Sequence, residues 1–238
     1  GSASYACKMV SEVAANIGTT MAARELSPVI RHSSPDRTWT FVVDENRYVN
    51  GGISSNGGSV LEWARRIGWA IDEVRVGRGG QRFFPWLNGE RTPFWSADLR
   101  GTFTGIDVRT DMATLSAAIV KGVAFTLSRM INAMAQARSC PSGVVVAGGG
   151  VRLAEMLRVV QGSVSVPLTI LRSFDYLASD GAALSAAEAL GVRLELCHDI
   201  ERVLEPNDEF REEYEAWIAE ACGVASGVYG VDAGASPA

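Results

Sequence analysis

The stretch that most limits how this chain can fold is Val144-Val145-Val146-Ala147-Gly148-Gly149-Gly150-Val151-Arg152. Four β-branched or small residues run directly into three glycines, and Leu153, Met156, Leu157 and Val160 follow at helical spacing. The pattern predicts a buried strand, a turn without side chains and the start of a helix. Glycine at such a turn lets the backbone come within contact distance of a ligand. The new helix offers it unpaired N–H groups and a positive dipole end. These properties suit one wall of a nucleotide site.

The chain has 238 residues, of which 47% are hydrophobic, enough to bury a substantial core. A formal charge of −5 with interspersed signs argues against a nucleic-acid or anionic-membrane partner. No apolar run stands out as a bilayer span. The opening Gly1-Ser2-Ala3-Ser4-Tyr5 is neither a signal peptide nor a native Met start. The four cysteines (Cys7, Cys140, Cys197 and Cys222) form no paired motif, and with two histidines in the chain a zinc site is excluded. Free thiols in a reducing cytoplasm are the expectation.

Consecutive strands come first: Glu12 to Ile17, then the turn Gly18-Thr19-Thr20, then Met21 to Leu26. Trp39–Val43 and Arg47–Val49 flank a hairpin signal at Asp44-Glu45-Asn46. Gly51-Gly52 reads as the opening of a polar, glycine-rich stretch that leads into a helix over Val60–Ile67. Val74 to Arg82 reads as a loop, and Phe83 to Trp95 as a packed irregular segment rich in aromatics and prolines. A long helix is predicted over Ala113–Gln136, with Gly122 inside its apolar face where another backbone packs close. Beyond the triple glycine come a helix to Val160, a strand over Pro167–Leu171, a helix over Gly181–Leu190 stopped by Gly191, and a charged amphipathic helix over Asn207–Ala221. The order predicts one α/β domain with a mixed sheet, and the small residues of 223–238 predict a disordered tail.

Three glycine-rich segments follow strand-like runs: Gly18-Thr19-Thr20, Gly51-Gly52 with Gly57-Gly58, and Gly148-Gly149-Gly150. None is a P-loop or a dinucleotide fingerprint, and each alone reads as an ordinary turn. Together they fit a phosphate cradle of backbone N–H groups, which needs no lysine where Mg²⁺ carries the charge. Asn88-Gly89-Glu90-Arg91-Thr92-Pro93 reads either as a Glu90–Arg91 pair closing a loop or as a contact to something beyond this chain. Phe83, Phe84, Trp86, Phe94 and Trp95 form a core cluster or, in the alternative, a homodimer surface. No pair of carboxylates has a spacing that calls for acid–base catalysis.

In their order, Gly18-Thr19-Thr20, Gly52 to Gly58 with Trp63, Pro85 to Trp95, Arg100 to Gly105, Ala147 to Gly150 and Gly181-Ala182-Ala183 resemble the C-terminal half of the FGGY carbohydrate kinases over residues 10–192. The resemblance implies an actin-like ATPase: two RNase H-like lobes with ATP and Mg²⁺ in the cleft between them. This chain (1–222) would be the C-terminal, nucleotide-binding lobe, and the sugar would sit mainly on the N-terminal lobe of the same protein. It implies that Gly18, Thr19 and Thr20 approach the β- and γ-phosphates and that Gly52 and Asn56 lie beside the phosphates and ribose. Gly148, Gly149, Gly150 and Leu153 would line the adenine pocket.

The family's catalytic base is an aspartate shortly upstream of the Gly-Thr turn, so no catalytic residue is assigned here, and the chain is expected to be a domain cut from a longer protein. The Trp63–Phe83 interval is shorter than the family's, and Leu153-Ala154 and Tyr176-Leu177 replace more polar residues of relatives. The resemblance implies ATP-dependent phosphorylation of a sugar, sugar acid or polyol, with gluconokinases and then xylulokinases most alike. The alternative is a non-catalytic nucleotide- or sugar-binding regulatory member of the same fold.

Overall fold

The structure is a computed structural model that describes residues 13–31, 36–137, 143–172, 175–195 and 198–232. In chain order the elements are β1 (Val13–Ile17), β2 (Met21–Ser27), β3 (Trp39–Asp44), β4 (Arg47–Ser54), α1 (Gly58–Arg66), β5 (Arg82–Phe84), β6 (Thr102–Thr104) and α2 (Met112–Ala137). They continue with β7 (Val144–Ala147), a 3-10 turn (Gly149–Arg152), α3 (Ala154–Gln161), β8 (Leu168–Leu171), α4 (Leu177–Ala189), β9 (Ile200–Leu204) and α5 (Arg211–Tyr229). A seven-stranded sheet runs in the order β3-β4-β2-β1-β7-β8-β9, and β5 and β6 form a small separate ribbon. The sheet is mixed, as expected: β1, β7 and β8 are parallel neighbours, and the remaining pairs are antiparallel.

The centre of the sheet is buried on both faces, which is why β7 reads as an unbroken apolar run. One face packs against α1, α2, α3 and α5 in a single large core, and the other is closed by Leu177 and Leu184 of α4 over Ala14, Val145, Ala147 and Leu171. Helix α2 crosses the middle of that core. By length and composition it is apolar enough to cross a membrane, contrary to the expectation from the sequence, yet 89% of its most apolar window is buried inside the fold. Gly122 lies where expected: a Cβ there would come within 2.2 Å of the Phe83 carbonyl oxygen. That oxygen also accepts a hydrogen bond from Trp217 Nε1 at 3.0 Å, so β5 is clamped between α2 and α5. Phe83, Phe84, Trp86 and Phe94 are core residues, whereas Trp95 is half exposed.

Three expectations need correction. Gly51 and Gly52 are inside β4, paired with Arg24 and Ala23 of β2, and do not form a turn. A Cβ on Gly52 would stand 2.9 Å from Met130 Cγ, so the glycine makes room for α2 beneath the sheet. Helix α5 continues to Tyr229, through residues whose composition predicts disorder. Ala225 is fully buried, and the Tyr229 hydroxyl lies 3.0 Å from Thr102 Oγ1. Residues 233–238 are outside the described residues, as are Cys7, Cys140 and Cys197. Strand β9, finally, has no counterpart in the sequence reading; its side chains are largely exposed at the sheet edge and carry no apolar alternation.

Candidate functional site

The site follows from one pairing. Because β1 and β7 are adjacent and parallel, with Asn16 opposite Ala147, their C-terminal ends deliver Gly18 and Gly148 side by side. The chain leaves β1 toward β2 on one side and β7 toward β8 on the other. The crevice between such diverging connections is where open α/β sheets bind ligands. The fit is tight: a Cβ on Gly148 would stand 2.6 Å from the Ile17 carbonyl oxygen, and Gly148 has φ +89°, a conformation side chains disfavour. A Cβ on Gly150 would be 2.2 Å from Ile17 Cγ2. At Gly149 the space is open, with nothing nearer than Arg152 at 3.8 Å.

Helix α1 completes the wall. The Gly58 and Ser59 amides donate to the carbonyls of Gly18 (2.7 Å) and Thr19 (3.1 Å). The start of the helix thus holds the turn and does not present those two amides to solvent. Gly57 and Gly58 permit this closeness, since a Cβ on either would approach the Gly18 carbonyl oxygen to 2.9 Å or less. Within the turn, Gly18 N–H donates to the Thr20 carbonyl at 3.0 Å. The amides and hydroxyls of Thr19 and Thr20 make no hydrogen bond to the described residues and are available to an anion.

A cavity of about 490 Å³ opens between these parts, lined by Ile17, Gly18, Thr19, Gly58, Leu61 and Arg65 on one side and by Asp72, Gly149, Gly150, Arg152 and Leu153 on the other. Its size is that of a small-molecule site. Ile17, Leu61 and Leu153 supply apolar walls, Thr19 supplies donors at one end, and the Arg65–Asp72 pair stands on the rim. Arg65 grips both Asp72 oxygens, at 2.9 and 2.6 Å, which holds the Asp72 carboxyl below the usual carboxylate range. Asp72 comes from the connection between α1 and β5. That connection is pinned to α3 by the Val76 amide donating to Glu155 at 2.8 Å and by Arg158 on the Val76 carbonyl. Among the described residues no group of three His, Cys, Asp or Glu side chains could hold a metal ion.

Of the residues singled out in the sequence, Gly18, Thr19, Gly149, Gly150 and Leu153 line this one cavity, with Thr20 and Gly148 beside it. Gly52 and Asn56 do not reach it. Asn56 is fully buried. Its Nδ2 donates to the Gly89 carbonyl at 2.6 Å and to Glu90 Oε2 at 3.2 Å, and its Oδ1 accepts from the Asn88 amide at 3.1 Å. Asn56 therefore holds the 88–90 loop and has no group to spare for a ribose. Nor is Glu90 paired with the Arg91 side chain, which is exposed. Its carboxylate instead accepts from Ser54 Oγ at 2.9 Å and from the Arg91 amide at 2.8 Å. Burial without a cationic partner, opposed by these hydrogen bonds, pushes the Glu90 carboxyl up to about 7.

With that geometry in view, a model of the FGGY family of carbohydrate kinases, C-terminal domain, matches residues 14–190. The chain belongs to the FGGY family. Over 173 residues this FGGY domain is 28% identical to a gluconokinase of Bacillus licheniformis, covering 64% of this chain and 34% of that protein. It is 27% identical over 207 residues to a xylulose kinase of Staphylococcus epidermidis, covering 80% and 40%. Its fold is that of a xylulose kinase from Lactobacillus acidophilus, with TM-score 0.81 and 21% identity over 96% of this chain and 50% of the other. A gluconate kinase from the same organism gives TM-score 0.78 at 22% identity over 95% and 50%. The chain thus spans a third to a half of the length of these relatives.

The FGGY domain also places at the cavity residues that the sequence reading passed over: Leu61, Arg65, Asp72 and Arg152. Leu61 and Arg65 are four apart on α1 and so share a face. The signal for them was the helix that begins at Gly57-Gly58, once its N-terminus is known to abut the Gly18 turn. Nothing local marks Asp72, because it is brought in by a loop.

Proposed function

We propose that the protein containing this FGGY domain transfers the terminal phosphoryl group of ATP to a hydroxyl of a sugar, sugar acid or polyol, and that this chain is its nucleotide-binding lobe. The observation that carries the reading is the single cavity that gathers the Gly18 turn, the start of α1 and the triple glycine. The names of the gluconokinase and xylulose kinase relatives support the reaction class. The phosphates fit the Thr19 and Thr20 donors, where a side-chain-free turn permits backbone contact with charged oxygens. The adenine fits between Leu61 and Leu153, over the open face of Gly149.

Bound Mg²⁺ would neutralise charge on the transferring phosphoryl group. With no carboxylate cluster among the described residues, the ion is expected to be held by the phosphates, water and a group outside this chain. The role of this chain is then to bind ATP, align its terminal phosphate along the Gly18–Thr20 turn and, with the N-terminal lobe closed over it, exclude water. The sugar and the proton-accepting aspartate belong to that other lobe. We place the enzyme in the cytoplasm, in keeping with the free thiol of Cys222.

Calorimetric titration of the chain with ATP and Mg²⁺ tests the site, and absence of heat at millimolar nucleotide refutes it. The chain alone is expected to phosphorylate no sugar, whereas the parent protein turns over gluconate, xylulose or a close relative of them. A parent protein that binds ATP without any such turnover favours the regulatory reading.

A further inference from the structure

The Asn88–Pro93 block lies outside the cavity, yet its buried carboxylate is wired to the cavity wall. Glu90 is 3% exposed and gathers donors from two segments. Ser54 Oγ (2.9 Å) and Asn56 Nδ2 (3.2 Å) converge on Oε2, the Arg91 amide (2.8 Å) meets Oε1, and the Ser55 amide also donates to the carboxylate. Ser54 Oγ in turn accepts the Asn56 amide at 3.0 Å. The loop itself is bound to the same stretch of chain, since Thr92 and Ile53 exchange hydrogen bonds at 3.0 and 3.1 Å. Ile53 and Ser54 are held by the pairing of β4 with β2, and Glu90 is the hub that fixes residues 55–56 beyond the strand end, two residues before α1 begins.

Residues 57–59 sit directly against the Gly18–Thr20 turn. The Gly58 and Ser59 amides hold its carbonyls. At Gly57 the packing leaves no room even for a methyl group, since a Cβ would lie 2.7 Å from Met21 Cγ and 2.9 Å from the Thr20 carbonyl carbon. A contact this tight transmits displacement, because packed interiors do not deform to absorb it. We propose that Glu90 is a positioning residue for the phosphate-facing turn Gly18–Thr20, acting through Ser54, Asn56 and the first residues of α1. The inference rests on the reading of the cavity as a nucleotide site.

Once ionised, above about pH 7, the carboxyl suits the position because four donors point at it and the carboxylate can accept from all of them. Glutamine can accept on one side only and turns an NH₂ group toward donors on the other. Alanine leaves the Ser54 hydroxyl, one of the two Asn56 Nδ2–H groups and the Arg91 N–H without their buried acceptor, while the other Asn56 N–H keeps the Gly89 carbonyl. Either change lets residues 55–56, between the end of β4 and the start of α1, relax and carries the turn away from its phosphate-binding geometry. The apolar wall at Leu153, on the triple-glycine side of the cavity, is held by other contacts and keeps its place.

The test compares ATP, ADP and adenosine binding to the full chain by calorimetry and ligand-observed NMR, for the wild type and for Glu90→Gln, Glu90→Ala and Ser54→Ala. Thermal melts establish that each variant is folded. Glu90→Ala is expected to weaken ATP and ADP about tenfold or more while adenosine changes by less than about twofold, with Glu90→Gln between it and the wild type. Should Glu90→Ala fail to fold, Glu90→Gln and Ser54→Ala are expected to show the same phosphate-selective loss at smaller size. Unchanged ATP affinity in folded variants overturns the inference, as does equal loss of ATP and adenosine, which marks a general structural role. A wild-type chain that binds no ATP overturns the nucleotide reading itself, a result distinct from either.

Discussion

Glu90→Gln should change how the stability of the domain depends on pH, and the size follows from the burial of one carboxyl. In the folded protein Glu90 holds its proton up to about pH 7, whereas the usual glutamate value is 4.5. Desolvation is the largest cause, and the hydrogen bonds from Ser54, Asn56 and the Arg91 and Ser55 amides only partly offset it. Between those two values the native state binds a proton that the unfolded chain has released. Stability therefore falls as pH rises through this window and levels off above it. At about 1.4 kcal/mol per pH unit, the gap between 4.5 and about 7 corresponds to about 3 kcal/mol. Glutamine does not titrate, so the difference in unfolding free energy between wild type and variant isolates Glu90 from every other acid, including Glu25, whose carboxyl burial also raises. Urea unfolding followed by circular dichroism at pH values from about 4.5 to 8 measures it. The expected result is that the wild type loses about 3 kcal/mol relative to Glu90→Gln across that range. Parallel stability curves for the two proteins would refute the reasoning, because they would mean that Glu90 is charged, or equally solvated, in both states.

The glycines of the triple turn should separate by role. Gly150→Ala places a Cβ 2.2 Å from Ile17 Cγ2 and is expected to lower unfolding free energy by about 1–3 kcal/mol in urea titrations. Gly149→Ala has open space and should change stability by less than about 0.5 kcal/mol while weakening ATP measurably in calorimetry. Equal effects of the two on stability would contradict the packing described here. Lys121→Ala removes the ammonium that pairs with Glu213 across the α2–α5 contact, where both side chains are largely buried. It should cost about 3–5 kcal/mol, read as a lower urea midpoint, because it strands a buried carboxylate. Thr19→Ala removes a hydroxyl from the cavity but packs against nothing in the core. It is expected to leave the melting temperature within about 1–2 °C of the wild type while reducing ATP affinity several-fold.

What the sequence determined by itself were the features whose physics is local. The run from Val144 to Ala147 is apolar on both sides and can only be a buried strand, and Gly148 to Gly150 can only follow it as a turn. Helix α2 was legible to within one residue at each end because its apolar period persists for seven turns, and Gly122 within it announced a close backbone. Tertiary structure decided the rest. Gly51-Gly52 has the local signature of a turn, and only the presence of Met130 beneath β4 makes glycine a strand residue there. The second half of α5 is held by Ala225 and Tyr229 against the core, contacts that outweigh the small, glycine-containing composition of its own sequence. Asn56 is polar and sits beside glycines, which invites a ligand, yet its partners Gly89 and Glu90 lie 33 and 34 residues away along the chain. The cavity has the same origin. Its two glycine turns are 130 residues apart, counting from Gly18 to Gly148. They meet because β1 and β7 pair in parallel, and strand pairing is a long-range hydrogen-bond choice that neither turn encodes alone.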